Sequence, residues 1–318
     1  MTDPGDPRPA LPDPGPHPAP PVTEAVPLTP AEAADAIERV LAEGLDPEDC
    51  PPRTGVPVPA GELLLMPAAS AAYAGVKIAG VAPANPGRGL PRITGSYLLL
   101  DGPTLRPLAL YDGAALTAVR TPAVTAVALR RLAVPQAAHL VLFGAGPQAY
   151  GHLDAVLAIR PLTRVTVVAR RRGPAEELVR YARALGLAGV VGTPEAVAGA
   201  DVVVCCTTAR TPLFDGALVP GHAAVAAVGS HEPAAREVDA ALVGRSALYV
   251  EAREAALREA GDLLLAGVAA GSLHNLAELV AGKAPVPEDR PRFFKSVGQA
   301  WQDLAVAAEL HRRAAGLR

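Results

Sequence analysis

The run HLVLFGAGPQAYG at 139–151 carries residue types and a spacing that can grip a dinucleotide. Val141, Leu142 and Phe143 form a short apolar stretch, and Gly144, Ala145, Gly146 and Ala149 follow at G-x-G-x-x-A spacing. That order reads as a buried strand, a tight turn and the start of a helix. Gly144 lets the chain turn sharply off the strand. Gly146 has no side chain to hold a pyrophosphate away from the backbone. Ala149 is small enough for the helix to pack close to the sheet, and the free N–H groups at the helix start face the phosphates. With Pro147 and Gln148, these residues are the candidate cofactor grip. The alternative is a glycine turn in an α/β protein that binds no nucleotide; the alternating pattern that follows favours binding.

The end of the next strand separates the two nicotinamide cofactors. An acid there accepts from the ribose 2′-hydroxyl of NAD, and a basic residue accommodates the 2′-phosphate of NADP. This chain reads Val167-Val168-Ala169-Arg170-Arg171-Arg172, without an acid. A guanidinium can hold a phosphate through two parallel hydrogen bonds. Arg170 and Arg171 are therefore expected at the cofactor, and NADPH is expected over NADH. A solvated basic turn is the alternative.

A second set of cations stands in apolar or loop settings: Arg53, Lys77 and Arg120. Lys77 lies inside Ala74-Gly75-Val76-Lys77-Ile78-Ala79-Gly80, where a lysine is costly unless it meets an anion or snorkels. Arg120 is read as opening a helix at Arg120-Thr121-Pro122, where a cation opposes the dipole and needs a specific partner. Converging cations of this kind would bind a small carboxylate. Internal ion pairs with Asp101 or Asp112 are the alternative.

The elements that must position these groups follow from pattern. The chain has 318 residues, enough for two cores. Half of them are hydrophobic and only 3% aromatic, which suits close-packed helices on a Val-rich sheet. A net charge of −3 gives no basic face for nucleic acid or an anionic membrane. Cys50, Cys205 and Cys206 have neither metal nor disulfide spacing, so the cytoplasm is expected. Residues 1–22 are Pro-rich, lack the apolar core of a signal peptide and are expected to be disordered. No uninterrupted apolar run reaches membrane length.

Thr29-Pro30-Ala31-Glu32 is a capping box before a helix at 31–43. Strands are expected at 62–66 and 75–81, with a hairpin of 93–101 and 105–111 around Gly102-Pro103. A helix at 117–132 bridges to a βα alternation, with strands at 139–143, 164–169, 190–191, 202–206, 224–228 and 247–250 and a helix at 174–185. A last helix at 297–310 returns to the first unit. The fold class is thus α/β, a doubly wound parallel sheet plus an α+β unit. The expected division is 23–120 with 300–318 for substrate binding and dimerisation, and 121–299 for the cofactor.

Further segments carry a resemblance. They are Leu65-Met66-Pro67-Ala68, Tyr73-Ala74-Gly75-Val76-Lys77, Pro83-x-Asn85 with Gly89-Leu90-Pro91, and Leu116-Thr117-Ala118-Val119-Arg120-Thr121. Then come the 144–149 turn, Val228-Gly229-Ser230, Arg236-Glu237, and Phe294-Lys295-Ser296-Val297-Gly298-Gln299-Ala300-x-x-Asp303-Leu304. Taken in order, they resemble the ornithine cyclodeaminase/μ-crystallin family over about 24–309. The resemblance implies a Rossmann domain joined to an α/β domain that forms a homodimer. It implies that Arg53, Lys77 and Arg120 face a substrate carboxylate near the nicotinamide, with Ser296, Val297 and Gly298 at that end of the cofactor. Thr207, Gly229 and Ser230 are expected as further cofactor contacts.

Two departures from the cyclodeaminase pattern direct the functional reading. Those enzymes carry an acid two residues before the Met of the Met-Pro motif, where this chain has Leu64. They carry a second in the loop 229–233, where this chain has His231. His231 could act as acid or base near neutral pH, or only cap its turn. Glu232 replaces the acid only if it turns inward. Arg92 stands where the cyclodeaminases have a small polar residue and adds a cation for a second anionic group or a cofactor phosphate. The expectation is an NADPH-dependent reductase of a C=N bond beside a carboxylate, with Lys77 or His231 handling the proton. Its substrate would be a ketimine, a cyclic imino acid or the imine of a 2-oxo acid and an amine. The alternatives are an alanine-type amino-acid dehydrogenase, a cyclodeaminase-like lyase and a non-catalytic binder of μ-crystallin type.

Overall fold

The computed structural model describes residues 22–23 and 26–316, so most of the Pro-rich segment lies outside the described residues. The strands form two sheets. The first holds β1 (Val22–Thr23), β2 (Thr54–Val58), β3 (Gly61–Ala69), β4 (Tyr73–Val81), β5 (Ile93–Asp101) and β6 (Pro107–Asp112), in the order β1-β6-β5-β4-β3-β2. Neighbours from β2 to β6 are antiparallel and β1 joins β6 in parallel. Along β4 the residues Gly75, Lys77 and Ala79 are buried, while Val76 and Ile78 are not. This period of two fixes Lys77 on the inward face. Helix α1 (Pro30–Ala42) starts at the foreseen capping box, with Thr29 and Glu32 capping each other.

Helix α2 (Gly113–Leu132) carries the chain between the sheets, and its N-terminus is capped by the Asp112 carboxylate on the N–H of Ala115. It starts earlier than the sequence suggested. Arg120 therefore lies inside the helix and not at its start, and the helix dipole gives no reason for it to need a partner. The early start was hidden by Pro122, which sits in the helix interior and leaves the Ala118 carbonyl without its usual donor. Gly151 of α3 (Pro147–Leu157) packs against that notch: a Cβ there would lie 2.8 Å from Pro122 and 3.1 Å from the Ala118 oxygen.

The second sheet follows from β7 (His139–Phe143), β8 (Arg164–Val168), α4 (Arg172–Ala184), β9 (Ala188–Val191), β10 (Val202–Cys205) and β11 (Ala224–Ala227). It continues through α5 (Ala240–Arg245), β12 (Ala247–Val250), α6 (Arg253–Glu259), α7 (Gly261–Leu264), β13 (Leu273–Asn275), α8 (Leu276–Val280) and β14 (Arg292–Lys295). All its pairings are parallel, in the order β13-β12-β14-β11-β10-β7-β8-β9. The chain runs outward from β7 to β9, then returns to place β10 on the other side of β7. That reversal opens a crevice above the carboxyl ends of β7 and β10, where ligands of doubly wound sheets bind.

The last helix, α9 (Ala300–Ala314), packs on β3 to β6 and on α1 and α2, so it does return to the first sheet. Strand β1 takes in Val22, which was expected to be disordered, and strands β1, β2, β13 and β14 were not foreseen. The last of these inserts between β11 and β12, in the middle of the sheet. Among the described residues no helix is long and apolar enough to cross a membrane.

Candidate active site

The glycine turn sits at the mouth of the crevice. Gly144 has φ +108°, and a Cβ there would meet the Cys206 carbonyl at 2.7 Å, so the turn itself demands glycine. Gly146 is different. It caps α3 without a side chain, and a Cβ on it would meet nothing within 4 Å. The protein's own packing does not require glycine there, whereas a phosphate lying against the turn would. Ala149 is fully buried against the sheet. Gln148 donates to the Thr117 carbonyl at 3.3 Å and ties the turn to α2. These residues fit a dinucleotide. At the end of β8, Arg170 and Arg171 are exposed and their side chains make no hydrogen bond among the described residues, while Arg172 is held by Glu176 at 2.7 Å.

The cations converge from separate elements. Lys77 of β4 donates to Asp303 of α9 at 3.1 Å and to the Thr117 hydroxyl of α2. Arg120 of α2 lies 3.5 Å from the same Asp303 oxygen and donates to Gln302 at 2.8 Å. Arg53, ahead of β2, donates to the carbonyls of Val297 and Gly298 at 2.9 and 2.8 Å and pairs with Glu259 of α6 at 2.8 Å. Lys77 and Arg120 are buried and Asp303 is completely so. Their acid partner is thus Asp303, not Asp101 or Asp112: Asp101 serves the turn at Thr104 and Asp112 caps α2. One carboxylate shared by two cations leaves positive charge over. Burial holds Lys77 below its ordinary 10.5; Asp303 opposes the shift and Arg120 adds to it. Burial likewise lowers Arg53.

The loop after β11 closes another side. His231 is exposed at its tip, yet the surrounding protein and then the charge of Arg53 push its pKa below the ordinary 6.5. Glu232 turns outward to an ion pair with Arg210 and does not replace the missing acid. Arg92 is exposed on the facing loop, close enough to Glu232 to help lower its pKa, after Arg210 and His231. Leu64 pairs with Ala79 and Met66 with Lys77, so Leu64 shares the inward face with Lys77.

Several predicted cofactor contacts are already hydrogen-bonded within the protein. The Thr207 hydroxyl and N–H donate to Glu237 at 2.7 and 2.8 Å, and the Gly229 N–H donates to its other oxygen at 2.7 Å. Burial raises the pKa of this Glu237. The Ser230 hydroxyl donates to the Ala235 carbonyl at 2.9 Å, and that of Ser296 to Glu251 at 2.8 Å. The residues sequence reasoning missed are Glu251, Glu259 and Gln302, while Glu237 and Thr117 were read only as parts of motifs. Asp303 was read only as part of a motif. Glu251 directly follows an apolar strand, a position from which it could have been suspected.

An all-parallel sheet with a bare glycine at its switch point, beside a buried cation cluster, is the arrangement of a nicotinamide-nucleotide oxidoreductase. The model of the ornithine cyclodeaminase/mu-crystallin family matches residues 24–317. The chain is 37% identical over 264 residues to the ketimine reductase mu-crystallin of Mus musculus, covering 82% of this chain and 83% of that protein. It is also 37% identical to a Delta(1)-pyrroline-2-carboxylate reductase of Bacillus thuringiensis subsp. konkukian, over 76% of this chain and 77% of that one. Among solved structures, the Thermococcus litoralis Delta(1)-pyrroline-2-carboxylate reductase with NADH and L-proline superposes with a TM-score of 0.84 at 30% identity, covering 91% and 94% of the two chains. This protein belongs to the ornithine cyclodeaminase/mu-crystallin family.

Proposed function

We propose that this protein reduces a C=N bond next to a carboxylate, with NADPH as the preferred cofactor. The carrying observation is the cation cluster of Lys77, Arg120 and Arg53 beside an apolar Leu64. It offers cations for a substrate carboxylate, and Leu64 supplies no acid at the position where the cyclodeaminases carry one. Arg120 and Arg53 bind and orient the acid, and Arg92 and His231 line the mouth. Gly144 to Ala149 hold the dinucleotide, with Thr207, Gly229, Ser230 and the turn 296–298 around its nicotinamide end. A reduced nicotinamide bound there supplies the hydride for the imine carbon. The imine nitrogen takes a proton from Lys77, which regains it from solvent. Lys77 suits this better than His231, whose lowered pKa leaves it largely neutral at pH 7. The unpaired, exposed side chains of Arg170 and Arg171 just after β8 support NADPH over NADH.

The resemblance to a homodimeric family is supported by the outer face of the first sheet. There Val56, Leu63 and Ile78 are 40%, 37% and 44% exposed, next to half-buried Leu65, Val76 and Leu98. An apolar sheet face of this kind calls for a cover, and a second copy supplies one. Residues 23–120 with 300–318 then bind substrate and dimerise, and 121–299 bind the cofactor. Three free cysteines accord with a cytoplasmic setting.

The test is consumption of NADPH and NADH with Δ1-pyrroline-2-carboxylate, and with 2-oxo acids plus ammonia or methylamine. At least one pair should turn over, faster at low NADPH than at low NADH. Replacing Arg170 and Arg171 by Ala should weaken NADPH about tenfold or more and NADH far less. Ornithine with NAD⁺ should release no ammonia. Ammonia release without net cofactor change would overturn the reading in favour of a lyase.

A further inference from the structure

Glu251 follows β12 and is buried, and its carboxylate accepts four hydrogen bonds, all from the junction between β14 and α9. One oxygen accepts from the N–H groups of Val297 and Gly298, both at 2.9 Å. The other accepts from the Ser296 hydroxyl at 2.8 Å and from the Gln302 amide nitrogen. The opposite end of that amide, its oxygen, accepts from Arg120 at 2.8 Å. A carboxylate has no proton to give. It therefore turns the NH2 of Gln302 toward itself and leaves the oxygen for Arg120.

The same carboxylate fixes the turn on which both guanidinium groups rest. Arg53 donates to the carbonyls of Val297 and Gly298. Gly298 has φ +79°, and a Cβ there would sit 2.9 Å from an Arg120 nitrogen, so the guanidinium lies against the bare turn. We propose that Glu251 is a positioning residue for the imine reductase site. It orients Arg53 through the 297–298 turn and Arg120 through the hydrogen-bond polarity of Gln302. This rests on the reading of Arg120 as a ligand of the substrate carboxylate.

In Glu251→Gln the introduced amide keeps its oxygen on the two N–H groups of the turn. Its NH2 then faces Gln302, whose amide must reverse and present NH2 to Arg120. The swap Glu251→Gln with Gln302→Glu restores the polarity. The new amide donates to the new carboxylate, which accepts from Arg120, and the net charge is unchanged.

Steady-state kinetics with NADPH and Δ1-pyrroline-2-carboxylate on the full chain read the difference, and L-proline titration reads carboxylate affinity independently of turnover. The expected result is a KM and an L-proline Kd raised about tenfold or more in Glu251→Gln, with kcat less affected, and both returned to within about threefold of the original in the swap. A folded swap no better than the single variant overturns the proposal, because a purely packing role predicts no rescue. If either variant fails to fold, Gln302→Met carries the test: it removes the Arg120 acceptor and leaves the turn held, so an unchanged KM overturns the proposal. Arg120→Lys separates the two readings. If it leaves KM and Kd unchanged, the carboxylate role of Arg120 is wrong; if it raises them and Glu251→Gln does not, only the role of Glu251 is wrong.

Discussion

At the scale of single residues, Lys77 has the chemistry that pH can report. Its ammonium is buried with Asp303, and burial holds its pKa below 10.5. A base with a lowered pKa loses its proton early as pH rises. Above that point Lys77 has neither charge for the carboxylate nor a proton for the imine nitrogen. The value of kcat/KM should therefore fall on the alkaline side with an apparent pKa below 10.5. In Lys77→Arg, whose charge persists to much higher pH, the limb should move upward while kcat drops. An alkaline limb that stays in place in Lys77→Arg would assign it to another group. Removing the acid instead is a stability matter: a buried pair that loses one partner typically costs about 3–5 kcal/mol. Asp303→Ala is thus a poor probe of mechanism.

At the scale of elements, the strand–turn–helix unit of β7 and α3 separates a glycine the fold requires from one only the proposed ligand would require. Gly144 has a positive φ and no room for a Cβ, so Gly144→Ala should strain the turn by about 1–3 kcal/mol and lower the Tm. Gly146 has an extended backbone, φ −96° and ψ −177°, with open space around it. Gly146→Ala should keep the Tm of the ligand-free protein and still weaken the dinucleotide about tenfold, read by titration of NADPH into the folded variant. Equal cofactor affinity in Gly146→Ala would remove the phosphates from this turn. The strand and the turn were legible because a continuous apolar run followed by spaced glycines has few other uses. Strand β14 was not. It is only four residues long, begins with Arg292 and ends with Lys295, and both charges are buried. Arg292 reaches the Leu132 carbonyl at 2.9 Å and Lys295 pairs with Asp262 at 2.9 Å, partners far away in sequence.

At the scale of the whole molecule, the proposed dimer rests on the apolar outer face of the first sheet. Ile78 stands at its middle, on the opposite side of β4 from Lys77. A charge there should oppose burial against a second copy without touching the inward face. Ile78→Lys is expected to shift the protein from dimer to monomer, as read by sedimentation or light scattering. Its circular dichroism should stay unchanged. A wild-type protein that sediments as a monomer at micromolar concentration would leave this face to another partner and refute the dimer.

The sequence by itself determined the two strand-bearing units, where most strands lie along the chain, the glycine turn and the identity of the buried cations. Each of these is written in a local signal: a period of two, an alternation of strand and helix, a spacing of glycines, or a charge in an apolar run. It also carried the apolar Leu64 at a position where an acid would have implied another reaction. Only the tertiary structure decided who faces the cations. Asp303, Glu259 and Gln302 come from helices far from Lys77, Arg53 and Arg120 along the chain, and Glu251 comes from a strand end to hold Gln302 from behind. No local pattern marks an acid that is buried because the chain returns over it. The pairing of Lys77 with Asp303 exists because α9 lies back across β3 and β4, and that return is set by packing across the whole molecule.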